Sequence, residues 1–599
     1  MLFFVLQKPM FMLYNKAADA SVTVADCFDV LLHGIPLDLT VAGYVLVVPL
    51  LLIAASFFHD RATLTKHVLI AYFVIISILV SVVFVADTVM YDFWQFKLDS
   101  SVFLYTDKPA DAVASVSTTF LVLCGVAFVA HCALMICAYV LCIRKAKLDP
   151  VLHSALSIIM IPLMGLCFLM IRGGVGAGTA NVSRVYYSEK QFLNHSAVNP
   201  VFNFLYSLGK TQDFTNEFHY YESDECQRTS KDLFTVADTT LTERILTTQR
   251  PNILYIVWEG CPEKCVEAIG GERGITPHLN RLATEGVSFT HCYASSFRTD
   301  RGLVSIMSGW LGMPTASLMK IPKKCENLPA LPRTLRSAGY LTDFWYGGDI
   351  TFTNMNGYML QAGFQSTVSD VDFSVSDRSY SKWGVRDDVL LDRLADDLCN
   401  RSNNGQYTSH PYFTAVLTLS SHEPWEVPER RLDEMKRNAF AYTDECIGRL
   451  IDRLKRSDQW DNLLIIISSD HGIRVDEADA LTDPSFCHIP LVFTGGAAIG
   501  FKHIDTIMSQ SDIAATLLAQ LGLPHDDFIF SRNVLARGYN RPFAFHTSSD
   551  YVMYIDTTGV TTFDHNVSKT VYSEGEGNDK REGKAKTILQ ALYEEVGKR

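Results

Sequence analysis

The chain has no excess of positive charge: 52 Lys and Arg stand against 65 Asp and Glu, a formal net charge of −13 over 599 residues. Binding a phosphate backbone through counterion release needs a basic face, so a nucleic-acid surface is excluded. There is no internal repeat, which sets aside solenoid architectures. Cys261 and Cys265 form a C-x3-C couple with no second pair, so a structural zinc knot lacks half its ligands. No small-residue cleavage site follows the apolar residues 1–14 (MLFFVLQKPMFMLY), which argues against a removable signal peptide.

What the chain does have is a sharp change of composition near residue 173. Before it, the runs 39–58, 68–86, 112–143 and 154–171 carry almost no charge. Each is about as long as a helix needs to cross a hydrocarbon core of roughly 30 Å, so four spans are expected. Residues 1–14, interrupted by Lys8 and Pro9, either add a fifth span or do not. The basic loops hold Arg61 with Lys66, and Arg144 with Lys145 and Lys147. Such loops are retained on the cytoplasmic side, and one more crossing carries everything beyond about Arg172 outside. Five cysteines (Cys124, Cys132, Cys137, Cys142 and Cys167) lie in apolar runs, where cysteine acts as a small hydrophobe. Of the eight in the outer part, an oxidising compartment allows some to pair, with Cys261 and Cys265 the closest couple.

The expected organisation is a transmembrane domain over 1–172, a partly helical linker over 173–249, a catalytic domain over 250–572, and a charged, solvated helical tail over 573–599. From Pro251, short apolar runs alternate with amphipathic stretches, the signal of a parallel sheet covered by helices. Candidate strands are 253–258, 287–293, 342–345, 413–419, 463–468 and 490–493. Candidate helices are 277–285, 303–308, 331–338, 389–398, 432–456 and 511–521. Residues 540–572, rich in Thr, Tyr, Val and Phe at strand-like spacing, add a small antiparallel portion.

Ligands of such sheets bind beyond the carboxyl ends of the strands. ILYIVWEG delivers Glu259 there, and LLIIISSDHG delivers Asp470 and His471. Two carboxylates and an imidazole make an N/O ligand set for Mn²⁺, Mg²⁺ or Zn²⁺; the plainer alternative for Asp470 is helix capping. Between them, SSFRTDRGLVSIMSG places Thr299 in the turn before a helix. In isolation that is an N-cap, but a metal on the same oxygen makes it a nucleophile near neutral pH.

PNILYIVWEG, TPHLNRLATEGVSFTHCYASSFRTDRG, SSDHG and HIPLVFTGG together resemble the sulfatase-type branch of the alkaline phosphatase superfamily. With several N-terminal spans and Thr in R-T-x-R-G, the chain is similar to the lipoteichoic acid synthase and phosphoglycerol transferase family. The resemblance implies a mixed sheet with helices on both faces, and one divalent ion, Mn²⁺ favoured, held by Glu259, Thr299, Asp470 and His471. It implies attack by Thr299 on a phosphodiester, giving a phosphothreonine. The donor would be a phospholipid, the acceptor an envelope glycan or glycolipid, and the location the bacterial cytoplasmic membrane. His422 (TLSSHEPW) and His488 (FCHIPL) fall at substrate-binding positions of similar enzymes. Arg298 and Arg301 flank Thr299 and are candidates for neutralising phosphate charge.

Two departures qualify this. Sulfate-ester chemistry needs Cys or Ser in C/S-x-P-x-R, and this chain has Thr299-Asp300-Arg301-Gly302-Leu303. Where lipoteichoic acid synthases carry Trp and Arg after the strand equivalent to FWYGGD, this chain has Phe352-Thr353-Asn354-Met355; Trp383 and Arg386 in KWGVRDD are the alternative aromatic and basic pair. The headgroup is therefore open between phosphoglycerol and phosphoethanolamine. A phosphodiesterase and an inactive envelope scaffold are the competing readings.

Overall fold

The computed structural model describes residues 1–15, 22–56, 62–94, 97–100, 102, 118–145, 158–176, 178–188, 190–208, 213–237, 239, 241–378, 381 and 383–599. The chain divides into two units, Met1–Gln212 and Asp213–Arg599.

In the first unit, α2 (Val24–Ser56), α3 (Ala62–Trp94) and α4 (Thr118–Lys145) are long and apolar enough to cross a membrane. This makes the chain a membrane protein with three such helices among the described residues. Of the expected fourth span, residues 154–157 lie outside the described residues; the described helix α5 (Met160–Arg172) has 13 residues, about 20 Å at 1.5 Å per residue, against a core of roughly 30 Å. The same holds for α1 (Leu2–Tyr14). Arg61 and Lys147, on which the orientation argument partly rests, lie outside the described residues.

Lys8 and Pro9 do not interrupt α1; Pro9 sits inside the helix. Lys8 is buried and donates to both carboxylate oxygens of Asp38 at 2.6 Å. Asn199 Nδ2 donates to Asp38 Oδ1 at 2.9 Å. Gly34 makes room for the lysine, since a Cβ there would stand 2.0 Å from Lys8 Cε.

The second unit is built on an eight-stranded sheet ordered β4-β3-β5-β1-β6-β7-β2-β8. The strands are β1 (Asn252–Trp258), β2 (Val287–Tyr293), β3 (Leu341–Tyr346), β4 (Ser366–Val368), β5 (Tyr412–Leu417), β6 (Leu463–Ser469), β7 (His488–Thr494) and β8 (Lys502–Ser509). β7 runs antiparallel to both neighbours and the other pairings are parallel, so the sheet is mixed. β1 shows why the sheet is central: Ile253, Tyr255 and Val257 enter the core on one face, and Leu254, Ile256 and Trp258 enter the core on the other. The sequence pattern misses two strands for physical reasons. β4 has three residues, and β8 (KHIDTIMS) is an edge strand with charged, partly exposed positions.

The antiparallel portion is a four-stranded sheet, β9 (Phe543–Thr547), β10 (Tyr551–Asp556), β11 (Gly559–Asp564) and β12 (Lys569–Gly575), reaching slightly past residue 572. The charged tail is a helix as expected, Asn578–Lys598, but not a solvated one. Ala585, Ile588, Leu589, Leu592 and Val596 repeat at three- and four-residue spacing and are buried in the main core. Its Gln590 Oε1 accepts from the backbone N–H groups of Tyr220 and Tyr221. The segment expected as one linker splits, residues 173–212 falling in the first unit and 213–249 in the second.

Candidate metal centre and active site

β1 and β6 are neighbours in register, Trp258 beside Ser469, so the residues that follow them emerge side by side. Glu259, Asp470 and His471 form a buried group of potential metal donors. The two turns are stitched together: Gly260 N donates to Asp470 Oδ1 (2.8 Å), Cys261 N to Ser469 Oγ (2.7 Å), and Gln510 Nε2 to the Ser469 and Asp470 carbonyls (2.8 and 2.7 Å).

The helix α6 (Thr299–Ser308) brings the fourth group. Thr299 is its first residue, four positions earlier than the apolar pattern suggests, and its Oγ1 lies 3.1 Å from Glu259 Oε2 and 3.4 Å from His471 Nε2. Gly302 allows this approach, because a Cβ there would meet the Asp470 carbonyl oxygen at 2.1 Å. A side chain at 302 would push the helix start off the end of β6.

His471 Nδ1–H donates to the Gly472 carbonyl (3.0 Å), which turns Nε2 towards Glu259 Oε1 (3.4 Å) and Asp470 Oδ2 (3.5 Å). Asp470 Oδ2 is buried and has no hydrogen-bond partner. Burial first, then the Glu259 charge, push the Asp470 carboxyl up to about 7. Burial alone would lower His471, but the Asp470 and Glu259 carboxylates hold it at about 10. Burial likewise opposes the lowered Glu259 pKa, which the hydrogen bond and charge of His471 produce, with a smaller contribution from His422.

These residues fit a divalent ion. A tetrahedral ion with bonds of about 2.0–2.1 Å separates its ligand atoms by about 3.3–3.4 Å, close to the separations found here. A buried carboxylate oxygen without a donor is the feature such an ion relieves.

The other expected site residues divide. His422 lies after β5, its ring 4.4 Å from Trp383 and its Nδ1–H bonded to the Glu423 carbonyl (2.8 Å). Trp383 Nε1 donates to the same carbonyl (2.6 Å), and Phe352 meets Trp383 edge-on at 5.8 Å. The structure thus makes one aromatic row of Phe352, Trp383 and His422. The adjoining Thr353 and Asn354 both have positive φ (53° and 69°), strained backbone of the kind that collects at functional loops.

Arg298 is exposed beside Thr299. Arg301 instead donates to the Met313 (2.8 Å) and Pro314 (3.3 Å) carbonyls, and Arg386 forms a two-pronged pair with Asp388 (2.9 Å each). His488 stands outside the donor group, with Nδ1 on Glu263 Oε2 (2.8 Å) and Nε2 on the Thr290 carbonyl (2.7 Å). Cys261 and Cys265 are buried free thiols, as are most of the cysteines of this unit. Sequence reasoning overlooked Thr418, Ser421 and Asp387, whose hydrogen bonds hold the site from behind.

The sheet order, the strand-end donors and a hydroxyl at a helix start define a class of α/β fold that recurs among known proteins. Residues 251–523 match the sulfatase family model, and the chain is similar to proteins named phosphoglycerol transferase I and lipoteichoic acid synthase. It is 28% identical over 312 residues to phosphoglycerol transferase I of Xanthomonas campestris pv. campestris, covering 48% of this chain and 43% of that protein. It is 22% identical over 333 residues to lipoteichoic acid synthase of Staphylococcus aureus, covering 51% and 50%. The chain thus spans about half the length of the curated relatives it matches. Two crystal structures share the fold. One is an alkaline phosphatase superfamily protein from Vibrio parahaemolyticus (TM-score 0.54, 23% identity, 63% of this chain and 97% of that one). The other is the lipoteichoic acid synthase LtaP from Listeria monocytogenes (0.51, 18%, 62% and 98%).

Proposed function

We propose that this chain is a metal-dependent phosphotransferase of the bacterial cytoplasmic membrane, its second unit outside the cell, that moves a phosphoglycerol headgroup from a phospholipid to an envelope glycan or glycolipid. The observation that carries the reading is the hydroxyl of Thr299 within 3.1 Å of a buried carboxylate and 3.4 Å of an imidazole nitrogen, at the start of a helix. Glu259, Asp470, His471 and Thr299 would hold one divalent ion, Mn²⁺ or Zn²⁺, which lowers the pKa of a bound hydroxyl and draws charge from a phosphoryl oxygen.

In this mechanism Thr299 Oγ1 attacks the donor's phosphorus, its proton leaving through Glu259 or solvent. The bond from phosphorus to the diacylglycerol oxygen breaks, and His422 gives that oxygen its proton. The phosphothreonine is then attacked by an acceptor hydroxyl, and Thr299 leaves as the alcohol. The positive end of α6 and the exposed Arg298 stabilise the phosphoryl charge. Trp383 and Phe352 form the wall that a glycerol or sugar would meet. His488 and Arg301 have their polar atoms engaged by the protein, on Glu263 and Thr290 and on Met313 and Pro314.

Intact-mass analysis of the full chain in detergent, incubated with Mn²⁺ and phosphatidylglycerol or phosphatidylethanolamine, tests this. A mass gain from phosphatidylglycerol, absent in Thr299→Ala, supports it. A gain only from phosphatidylethanolamine reassigns the headgroup. Diacylglycerol release with headgroup set free, and no acceptor product, makes the chain a phosphodiesterase. Neither gain nor release from either lipid sinks the reading.

A further inference from the structure

The backbone of Glu259 is held by a loop that is itself anchored to one buried acid. That loop, residues 418–422, follows β5 directly. Thr418 Oγ1 accepts from Glu259 N (3.0 Å), and Ser421 Oγ donates to the Glu259 carbonyl (2.7 Å). Both backbone groups of Glu259 are therefore fixed by side chains three positions apart on one loop. The same loop ends in His422, whose N–H donates to the Leu419 carbonyl (3.0 Å).

The two amides between those clasping side chains point the other way, into a carboxylate. Leu419 N donates to Asp387 Oδ1 (2.7 Å) and Ser420 N to Asp387 Oδ2 (3.1 Å). Asp387 N donates in return to Ser420 Oγ (2.9 Å). Asp387 is the first residue of α7 (Asp387–Asn400) and is fully buried. A fourth bond, from Thr443 Oγ1 in α8 (Met435–Leu454) to Asp387 Oδ2 (2.8 Å), fixes the carboxylate from behind. The chain just before Asp387 is fastened to the site as well. Val385 N donates to the Gly347 carbonyl (2.8 Å), and Gly384, at φ +136°, packs so closely that a Cβ would meet that oxygen at 2.3 Å. Trp383 is carried by this segment.

We infer that Asp387 is a positioning residue: its carboxylate locks the 418–422 loop so that the loop clasps Glu259 and sets His422 against Trp383. The alternative is a plain structural acid at a helix start. Two features favour positioning. Its acceptor capacity goes to loop amides and a hydroxyl of another helix, not to the first amides of its own helix. Its donors are neutral, so a buried charge is kept in place without a cation among these bonds, and burial accordingly pushes its carboxyl up to about 6. An asparagine at 387 would retain one acceptor and turn an NH₂ group towards an amide N–H, leaving buried donors unmatched.

The inference rests on the proposed reading of Glu259 as a metal ligand, and the test separates the two. Full chain in detergent is prepared as wild type, Asp387→Asn, Ser421→Ala, the double variant, and Thr443→Val as a milder probe should Asp387→Asn not fold. Amide hydrogen exchange of the 418–422 segment is measured without metal, and Mn²⁺ and Zn²⁺ affinities by titration. We expect exchange in 418–422 to rise about 10-fold in Asp387→Asn with β1 unchanged, and metal affinity to fall about 10- to 100-fold, the usual reach of a residue behind a ligand. The double variant should bind metal no more weakly than the worse single variant, because both act through one loop. Thr443→Val should shift both readouts in the same direction by about 3-fold. Wild-type loop protection or wild-type metal affinity in a folded Asp387→Asn overturns the inference, as does strict additivity with Ser421→Ala. If the wild type binds neither metal, the functional reading fails instead, and loop exchange alone decides whether Asp387 locks the loop.

Discussion

Two buried aspartates in the second unit are handled in opposite ways. Asp512 has every oxygen occupied: Oδ1 accepts from Arg532 N (2.8 Å) and Nε (3.0 Å), and Oδ2 from Arg532 Nη2 (2.6 Å) and Ser509 N (2.9 Å). Asp470 accepts hydrogen bonds on Oδ1 alone; Oδ2 has none and lies 3.5 Å from His471 Nε2, beside a second carboxylate. A buried charge satisfied inside the protein holds the fold together. One left open is costly alone and is relieved by a ligand from outside. The difference separates a structural acid from a functional one without reference to any relative.

The sharpest way to break the comparison is at the hydroxyl beside Asp470. On the proposed mechanism, Thr299→Ala should lower turnover at least about 1000-fold with the fold intact, since the hydroxyl that would form the covalent bond is gone. Melting temperature and headgroup release, measured together, check this; substantial residual turnover would make water the nucleophile. Next in size, Asp512→Ala should destabilise by about 3–5 kcal/mol by leaving Arg532 buried and unpaired. Asp470→Asn should lose metal binding while leaving metal-free stability equal or higher, because it removes one of two adjacent carboxylates. Denaturant unfolding in EDTA compares them, and equal losses in both variants would erase the distinction.

A pH series sharpens it further. Without metal, Asp470 at about 7 and His471 at about 10 hold protons that an ion must displace, so metal binding releases protons and strengthens as pH rises. The Mn²⁺-induced gain in unfolding free energy should be larger at pH 8 than at pH 6, by about 1 kcal/mol or more. A gain independent of pH would remove these residues from the ligand set. The smallest effect concerns Glu326, which burial pushes up to about 7, with Arg333 and Lys323 opposing. Its folded pKa is raised, so the stability it allows is complete below its ordinary value near 4.5 and is lost as pH rises through about 7. Glu326→Gln should therefore stabilise by about 1–2 kcal/mol at pH 8 and hardly at all at pH 4. No pH-dependent gain would mean that this carboxylate is solvated.

Much of this was legible along the chain, and particular residues show why. The long helices follow from runs of uncharged residues, because backbone in lipid has to satisfy its own hydrogen bonds. Glu259, Asp470 and His471 stand out because each follows a strand apolar on both faces, where a polar residue marks the strand's end. The terminal helix was misjudged because its charges outnumber its apolar residues, although Ile588, Leu592 and Val596 recur at helical spacing. Composition averages over faces, whereas burial depends on one face.

By itself the sequence determined the class of fold, the membrane-directed helices and the strand-end donors, since hydropathy, period and strand termini are properties of neighbours in the chain. Tertiary structure alone decided that Thr299 meets Glu259 across 40 positions, that Phe352, Trp383 and His422 share one wall, and that Asp387 reaches the loop behind Glu259. It also decided that His488 and Arg301 spend their polar atoms on the protein. These contacts join distant segments whose alignment is set by sheet register and by side-chain volume, as at Gly302, and no local pattern encodes either.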